Sequence, residues 1–236
     1  MSQCFWAEKN LLCTSLKKAE PAPNCRRCPR LKTFINEQRK LQPDWHNAPV
    51  KTWCDDDDTA IQLLVVGLAP GLKGANRTGK AFTGDQSGDL LFATLKKLGN
   101  AFELENSPGI TLFRLKETAI TNAVRCVPPQ NKPTGLEINT CRQFLANTIA
   151  RFPNLRIVVT LGSIAHQSTL RALDIGIKSA PFGHNTHFEW TGVSRSINLI
   201  SSYHCSRYNV NTGRLTAQMF EDVFENARAF IGPKTT

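Results

Sequence analysis

Apolar positions along the chain gather into short continuous runs separated by amphipathic stretches. Residues 61–69 (IQLLVVGLA), 118–124, 156–161 and 196–200 are four such runs, each of strand length and carrying β-branched residues. Continuous rather than alternating apolar character marks strands covered on both faces, the habit of parallel sheets. Helical periodicity follows each run. Leu90, Leu91, Leu95 and Leu98 share one face of a helix starting near Ser87 and stopped by Gly99. Thr134-Gly-Leu-Glu137 is a capping box, opening a helix that carries Cys141 and ends near Phe152-Pro153. Gly162 leads into an apolar helix through Leu173. Thr216 caps a last one, with Met219, Phe220, Val223, Phe224, Ala227 and Phe230 inward and Gly232 as its stop. The alternation predicts an α/β fold: three layers, α/β/α, around a central, mostly parallel four-stranded sheet. Residues 1–236 are expected to form a single domain. Within it, 1–58 is a less regular N-terminal segment with a helix from near Cys25 to Leu41 and a loop over 43–58.

Open sheets of this kind bind ligands beyond the carboxyl ends of their strands. Segments 67–85, 125–131 and 201–211 each follow a strand, so three loops should converge on one rim. The first contains Gly74-Ala-Asn-Arg-Thr-Gly-Lys80, which spells the opening of a phosphate-binding P-loop. The next position should be Ser or Thr, whose hydroxyl helps hold Mg²⁺, and here it is Ala81. Residues 69–73 also separate the apolar run from Gly74, and Gly84 stands where a helix should begin. The spacing therefore argues against an NTPase, and the glycine-rich loop needs another purpose.

Composition narrows the partner. With 29 basic against 19 acidic residues the formal charge is +10, which suits a polyanion or simply a basic enzyme. No apolar run approaches a membrane span, and the first ten residues lack a secretory layout, so a soluble, cytoplasmic protein without a membrane partner is expected. The run Asp55–Asp58 reads as a solvated loop rather than a metal site, since no spaced ligands follow it. Of eight cysteines, Cys25 and Cys28 form a CxxC, and Cys126 and Cys141 form a second pair with fourteen residues between them. Two thiolates from one turn and two brought by the fold suit Zn²⁺ or an iron–sulfur cluster, and spacing does not choose between them.

Three segments together, "GLAPGLKGANRTGKAFTGD", "ITNAVRCVPPQNKP" with Cys141, and "SSYHCSRYNVNTGRLT", resemble the uracil-DNA glycosylase superfamily, and within it the family-five (UDGb) type that carries a 4Fe–4S cluster. The similarity spans about Cys25 to Phe224. It implies a monofunctional DNA glycosylase that hydrolyses the N-glycosidic bond of uracil, and of other deaminated bases, to start base excision repair. The rival reading is a non-catalytic iron–sulfur DNA-binding protein on the same scaffold. The resemblance also implies a 4Fe–4S cofactor on Cys25, Cys28, Cys126 and Cys141, DNA containing a deaminated base as partner, and a monomer. Two residues depart from the pattern: Gly71 stands where alanine is usual, and Cys205 follows His204 where proline is usual.

An enzyme of this type must flip a base out of the duplex and stabilise both an anionic base and a cationic sugar. Backbone N–H groups of Gly67, Leu68 and Ala69 can face an oxygen of the departing base, and Phe82 holds the position from which the family stacks on that base. Asp85 is the expected catalytic carboxylate, with capping of the following helix as its competing role. His204 can donate to the base oxygen. Asn131 is tied by the resemblance to the active site, and Asn122, at a strand end, can read the mixed donor–acceptor edge of uracil. Ser206, Arg207 and Asn209 are expected to touch DNA. No lysine stands out as a Schiff-base nucleophile, so base removal without strand cleavage is expected.

Overall fold

The computed structural model describes residues 20–104 and 112–231; Cys4, Cys13 and Gly232 lie outside the described residues. The four apolar runs become strands β1 (Leu63–Gly67), β4 (Thr118–Asn122), β5 (Ile157–Leu161) and β7 (Ser196–Ser202). They stand side by side in the order β4–β1–β5–β7, and every pair is parallel. A further strand, β6 (Thr186–Thr191), joins β7 antiparallel, so the sheet has five strands rather than four. This edge strand escapes the sequence reading because only Phe188 and Trp190 turn inward, and both are half-buried. An edge strand with one open face has no continuous apolar run to announce it. A separate hairpin pairs β2 (Ala101–Leu104) with β3 (Leu112–Leu115).

Helices cover both faces. Alternate strand residues point to opposite sides, so Leu63, Val65, Ile157 and Val159 pack on one side against Leu91 and Leu95 of α3 (Gln86–Lys97) and Phe220, Val223 and Phe224 of α7 (Ala217–Arg228). Leu64, Val66 and Val158 pack on the other side, against Leu145 and Ile149 of α4 (Gly135–Arg151) and Ala165 and Leu170 of α5 (Ser163–Ala172). Both halves of the expected capping box form, with Thr134 Oγ1 accepting from the Glu137 amide at 3.3 Å and Glu137 Oε2 from the Thr134 amide at 2.7 Å. Three further α-helices are α1 (Pro29–Leu41) and the short α2 (Ala75–Thr78) and α6 (Arg207–Asn211). The first begins at Pro29 rather than near Cys25, because Cys28 takes the extended N-cap conformation and proline suits the next position.

The irregular segment before β1 covers the free edge of β4. Trp53 and Ile120 exchange backbone hydrogen bonds of 2.9 and 2.8 Å. The acidic run is an anchor rather than a solvated loop. Asp55 Oδ2 accepts from Trp53 Nε1 at 3.0 Å and from the Leu115 amide at 2.8 Å, Asp56 accepts from the Glu117 amide, and Asp58 pairs with Arg151. Among the described residues no helix is long and apolar enough to cross a membrane.

Leu64 is fully buried at the centre of one layer. Leu64→Ala should cost about 2–5 kcal/mol, read as a lower urea midpoint with an unchanged slope.

Candidate active site

Parallel register sets Gly67 beside Asn122 and Leu161 beside Ser202, so the loops that follow leave from one rim. A cleft of about 320 Å³ opens there. Its lining gathers Leu68, Ala69, Phe82, Asp85, Asn122, Asn131, His204 and Ser206 from three distant segments. Gly67 lies beneath it. A Cβ at that position would stand 2.5 Å from Phe82 Cζ and 2.6 Å from Asn122 Oδ1, so glycine is what lets both side chains close over the strand end. Phe82 (φ 59°), Gln130 (φ 55°) and Asn131 (φ 56°) all hold left-handed backbone conformations, strain of the kind that collects at functional sites.

Asp85 is the N-cap of α3, its Oδ1 accepting from the Ser87 amide at 3.1 Å. Its Oδ2 presses against the loop backbone: a Cβ on Gly74 would lie 2.3 Å from it, and one on Gly71 2.8 Å. Burial raises the pKa of this carboxyl, against the opposing pull of the Ser87 and Gly88 amides. Capping and a place in the cleft therefore coexist in one side chain. The His204 ring lies 6.1 Å from the Phe82 ring at 27°, and desolvation lowers its pKa, which keeps the imidazole neutral near pH 7. Asn122 is 3% exposed at the end of β4.

The three residues expected on DNA are placed differently from one another. Ser206 lines the cleft and caps α6. Asn209 turns its amide inward, Nδ2 donating to the His204 carbonyl at 2.8 Å. Arg207 is exposed and its Nε donates to Gln86 Oε1, linking α6 to α3.

Cys25, Cys28, Cys126 and Cys141 line a second hollow with Leu31, Val124 and Phe144, where the N-terminal segment meets the loop after β4. Cys141 Sγ accepts from the Arg125 amide at 3.3 Å. Burial first, and neighbouring thiolates second, push the Cys28 thiol up to about 11 and the Cys126 thiol further still. Charged together, the Cys28, Cys126 and Cys141 thiolates would need positive charge beside them to offset both costs. Among the described residues no three His, Cys, Asp or Glu side chains close on a single ion-sized point.

A family model described as the uracil DNA glycosylase superfamily matches residues 55–228. The chain belongs to the uracil-DNA glycosylase superfamily. A Thermus thermophilus protein named Type-5 uracil-DNA glycosylase is 38% identical over 214 residues, covering 88% of this chain and 94% of that one. One of the same name from Pyrobaculum aerophilum is 36% identical over 216 residues, covering 89% and 90%. A Type-4 uracil-DNA glycosylase of Sulfurisphaera tokodaii is 27% identical over 176 residues, covering 73% and 72%.

Both residues that depart from the family-five pattern make close contacts near the cleft. Gly71 leaves room for the Asp85 carboxylate, which a methyl group would meet at 2.8 Å. Cys205 is fully buried and its Sγ donates to the Ser87 carbonyl at 3.3 Å, with burial pushing the thiol up to about 12, so the histidine loop is tied to the start of α3 without a proline. Sequence reasoning missed Arg125. This fully buried guanidinium donates to Thr52 at 2.8 Å and Thr148 at 2.7 Å and pairs with Glu20 at 3.1 Å, bolting the N-terminal segment to α4. A basic residue directly before Cys126 was the available signal, but charge suggests a surface until the partners are known.

Titration of His204 checks the electrostatics. Its NMR resonance, assigned by its loss in His204→Gln, should titrate below the ordinary value of about 6.5.

Proposed function

We propose that the protein is a monofunctional uracil-DNA glycosylase whose catalytic centre is the rim cleft. The observation that carries this is the meeting of Asp85, Asn122 and His204, from two loops and a strand end, around a cavity of about 320 Å³ with room for a flipped nucleobase. A flipped uracil stacks on Phe82, the Asn122 amide meets its donor–acceptor edge, and its O2 faces the Leu68–Ala69 backbone and His204. As the C1′–N1 bond breaks, the bonding pair passes to the base. A neutral imidazole and fixed N–H dipoles stabilise that negative charge without reorganising, and one such donor is worth about 3 kcal/mol. The Asp85 carboxylate faces the sugar, where it stabilises positive charge and orients the water that captures C1′. Asn131, on its strained turn at the cleft wall, helps to place that water or the base. Ser206 and Arg207 meet the DNA backbone, while Asn209 serves by holding the His204 loop.

Single-turnover uracil release from a duplex oligonucleotide tests the assignment. Asp85→Ala should slow it by about 100-fold or more with DNA affinity changed less than about threefold; equal losses in both would remove the carboxylate from the chemistry. The rate depends on an ionised carboxylate, and burial raises the pKa of this one. That rate should fall with acidification at a pH above the ordinary carboxylate value of about 4, a limb that Asp85→Asn abolishes. Wild-type protein in excess that leaves no abasic site would instead favour the non-catalytic DNA-binding reading.

The four cysteines fit a 4Fe–4S cluster. All four line one hollow, and four cysteine thiolates are the donor set such a cluster takes. When bound, the cluster supplies a cross-link between the segment before α1 and the loop after β4, without redox turnover. The purified protein should be brown, absorbing near about 400 nm, and Cys141→Ser should lose iron and colour; a colourless zinc protein would overturn this.

A further inference from the structure

Asn47 lies outside the cleft, yet all its hydrogen-bonding groups are engaged. It is 1% exposed with φ 42°. Nδ2 donates to the Gln42 carbonyl at 2.6 Å and the Gln38 carbonyl at 3.3 Å, adding a second donor to two carbonyls at the end of α1 that also accept from the Trp45 and Gln42 amides. Its own carbonyl accepts from Arg39 Nε at 2.8 Å. On the other side its amide donates to the Asn76 carbonyl at 3.0 Å, and its Oδ1 accepts from Asn76 Nδ2 at 2.8 Å. The neighbouring His46 amide donates to the Arg77 carbonyl at 3.0 Å.

Asn76 is fully buried in α2, and its remaining amide atom, Oδ1, has no partner among the described residues, so the bond to Asn47 is what orients this side chain. The Asn76 amide in turn donates to the Gly71 carbonyl at 3.1 Å. Gly71 and Gly74, the N-cap of α2, are the wall against which Asp85 Oδ2 rests. Buried amide pairs are rigid because breaking one strands polar groups away from water. We propose that Asn47 is a positioning residue: it locks the turn Ala75–Thr78 to the end of α1 and thereby sets the place of the Asp85 carboxylate. This rests on reading Asp85 as the catalytic carboxylate.

Two variants cut the lock at different points. Asn47→Gly removes the side chain where the left-handed backbone favours glycine, and Asn76→Ala removes the side-chain link while leaving the backbone bonds and the contacts of Asn47 with α1 intact. Each should lower single-turnover uracil release about tenfold, the scale of a sub-ångström misplacement, with affinity for undamaged duplex within about twofold. In an Asp85→Ala background the same substitutions should leave the residual rate unchanged, since the residue they act through is gone. Amide hydrogen exchange at residues 77–79 should quicken while the strand amides keep their protection. An equal fractional loss in the Asp85→Ala background, an unchanged rate in folded variants, or unchanged exchange would overturn the proposal. Wild-type protein that releases no uracil would sink the functional reading alone, and hydrogen exchange would then decide the lock by itself.

Discussion

The parallel ladder is the constraint on which the rest depends. Strands β4, β1, β5 and β7 run the same way in fixed register, so each delivers its following loop to one rim. Antiparallel pairing would have sent alternate loops to opposite ends and parted Asp85 from His204. The ladder in turn stands on burial: parallel strands need both faces covered, and two helical layers cover them. A cavity built this way is preorganised, because its polar groups are carried by elements that packing holds still.

Close approach does the finer work. Gly67 admits the Phe82 ring and the Asn122 amide to the same few ångströms, and Gly71 and Gly74 admit the Asp85 carboxylate. The glycine-rich loop that imitates a phosphate cradle is thus a packing device for side chains, with Gly79 turning the chain at φ 78°. Asp85 caps the helix and, in the proposed mechanism, serves the chemistry as well. Its Oδ1 stabilises the helix start, and that bond fixes the direction in which the other oxygen faces.

The N-terminal segment, irregular in sequence, is joined to this machinery at four kinds of contact: the Trp53 bridge, the aspartate anchors, the Arg125–Glu20 pair and the cysteine hollow. Burying a guanidinium, or cysteines as thiolates, is costly unless partners or a cation answer the charge. The protein meets this with Thr52, Thr148 and Glu20 around Arg125. The hollow and the cleft share the loop after β4, so bracing one steadies the other.

Strands of continuous apolar character, the capping box at Thr134 and the amphipathic α7 were legible along the chain because each is a local pattern with its own period. The layers and the parallel pairing followed from them, and three quoted motifs marked most of the rim. Edge strand β6 and the hairpin of β2 and β3 were not legible, since strands with an open face carry little apolar periodicity. Nor were the Asn47 lock, the aspartate anchors or the burial of Arg125. Asn, Asp and Arg read as surface or turn residues until the three-dimensional partners that satisfy them are known. Sequence alone determined which residues could do chemistry and roughly where they lie on the sheet. Tertiary structure decided which of them meet, because hydrogen bonds and close contacts between distant segments leave no periodic trace in the chain.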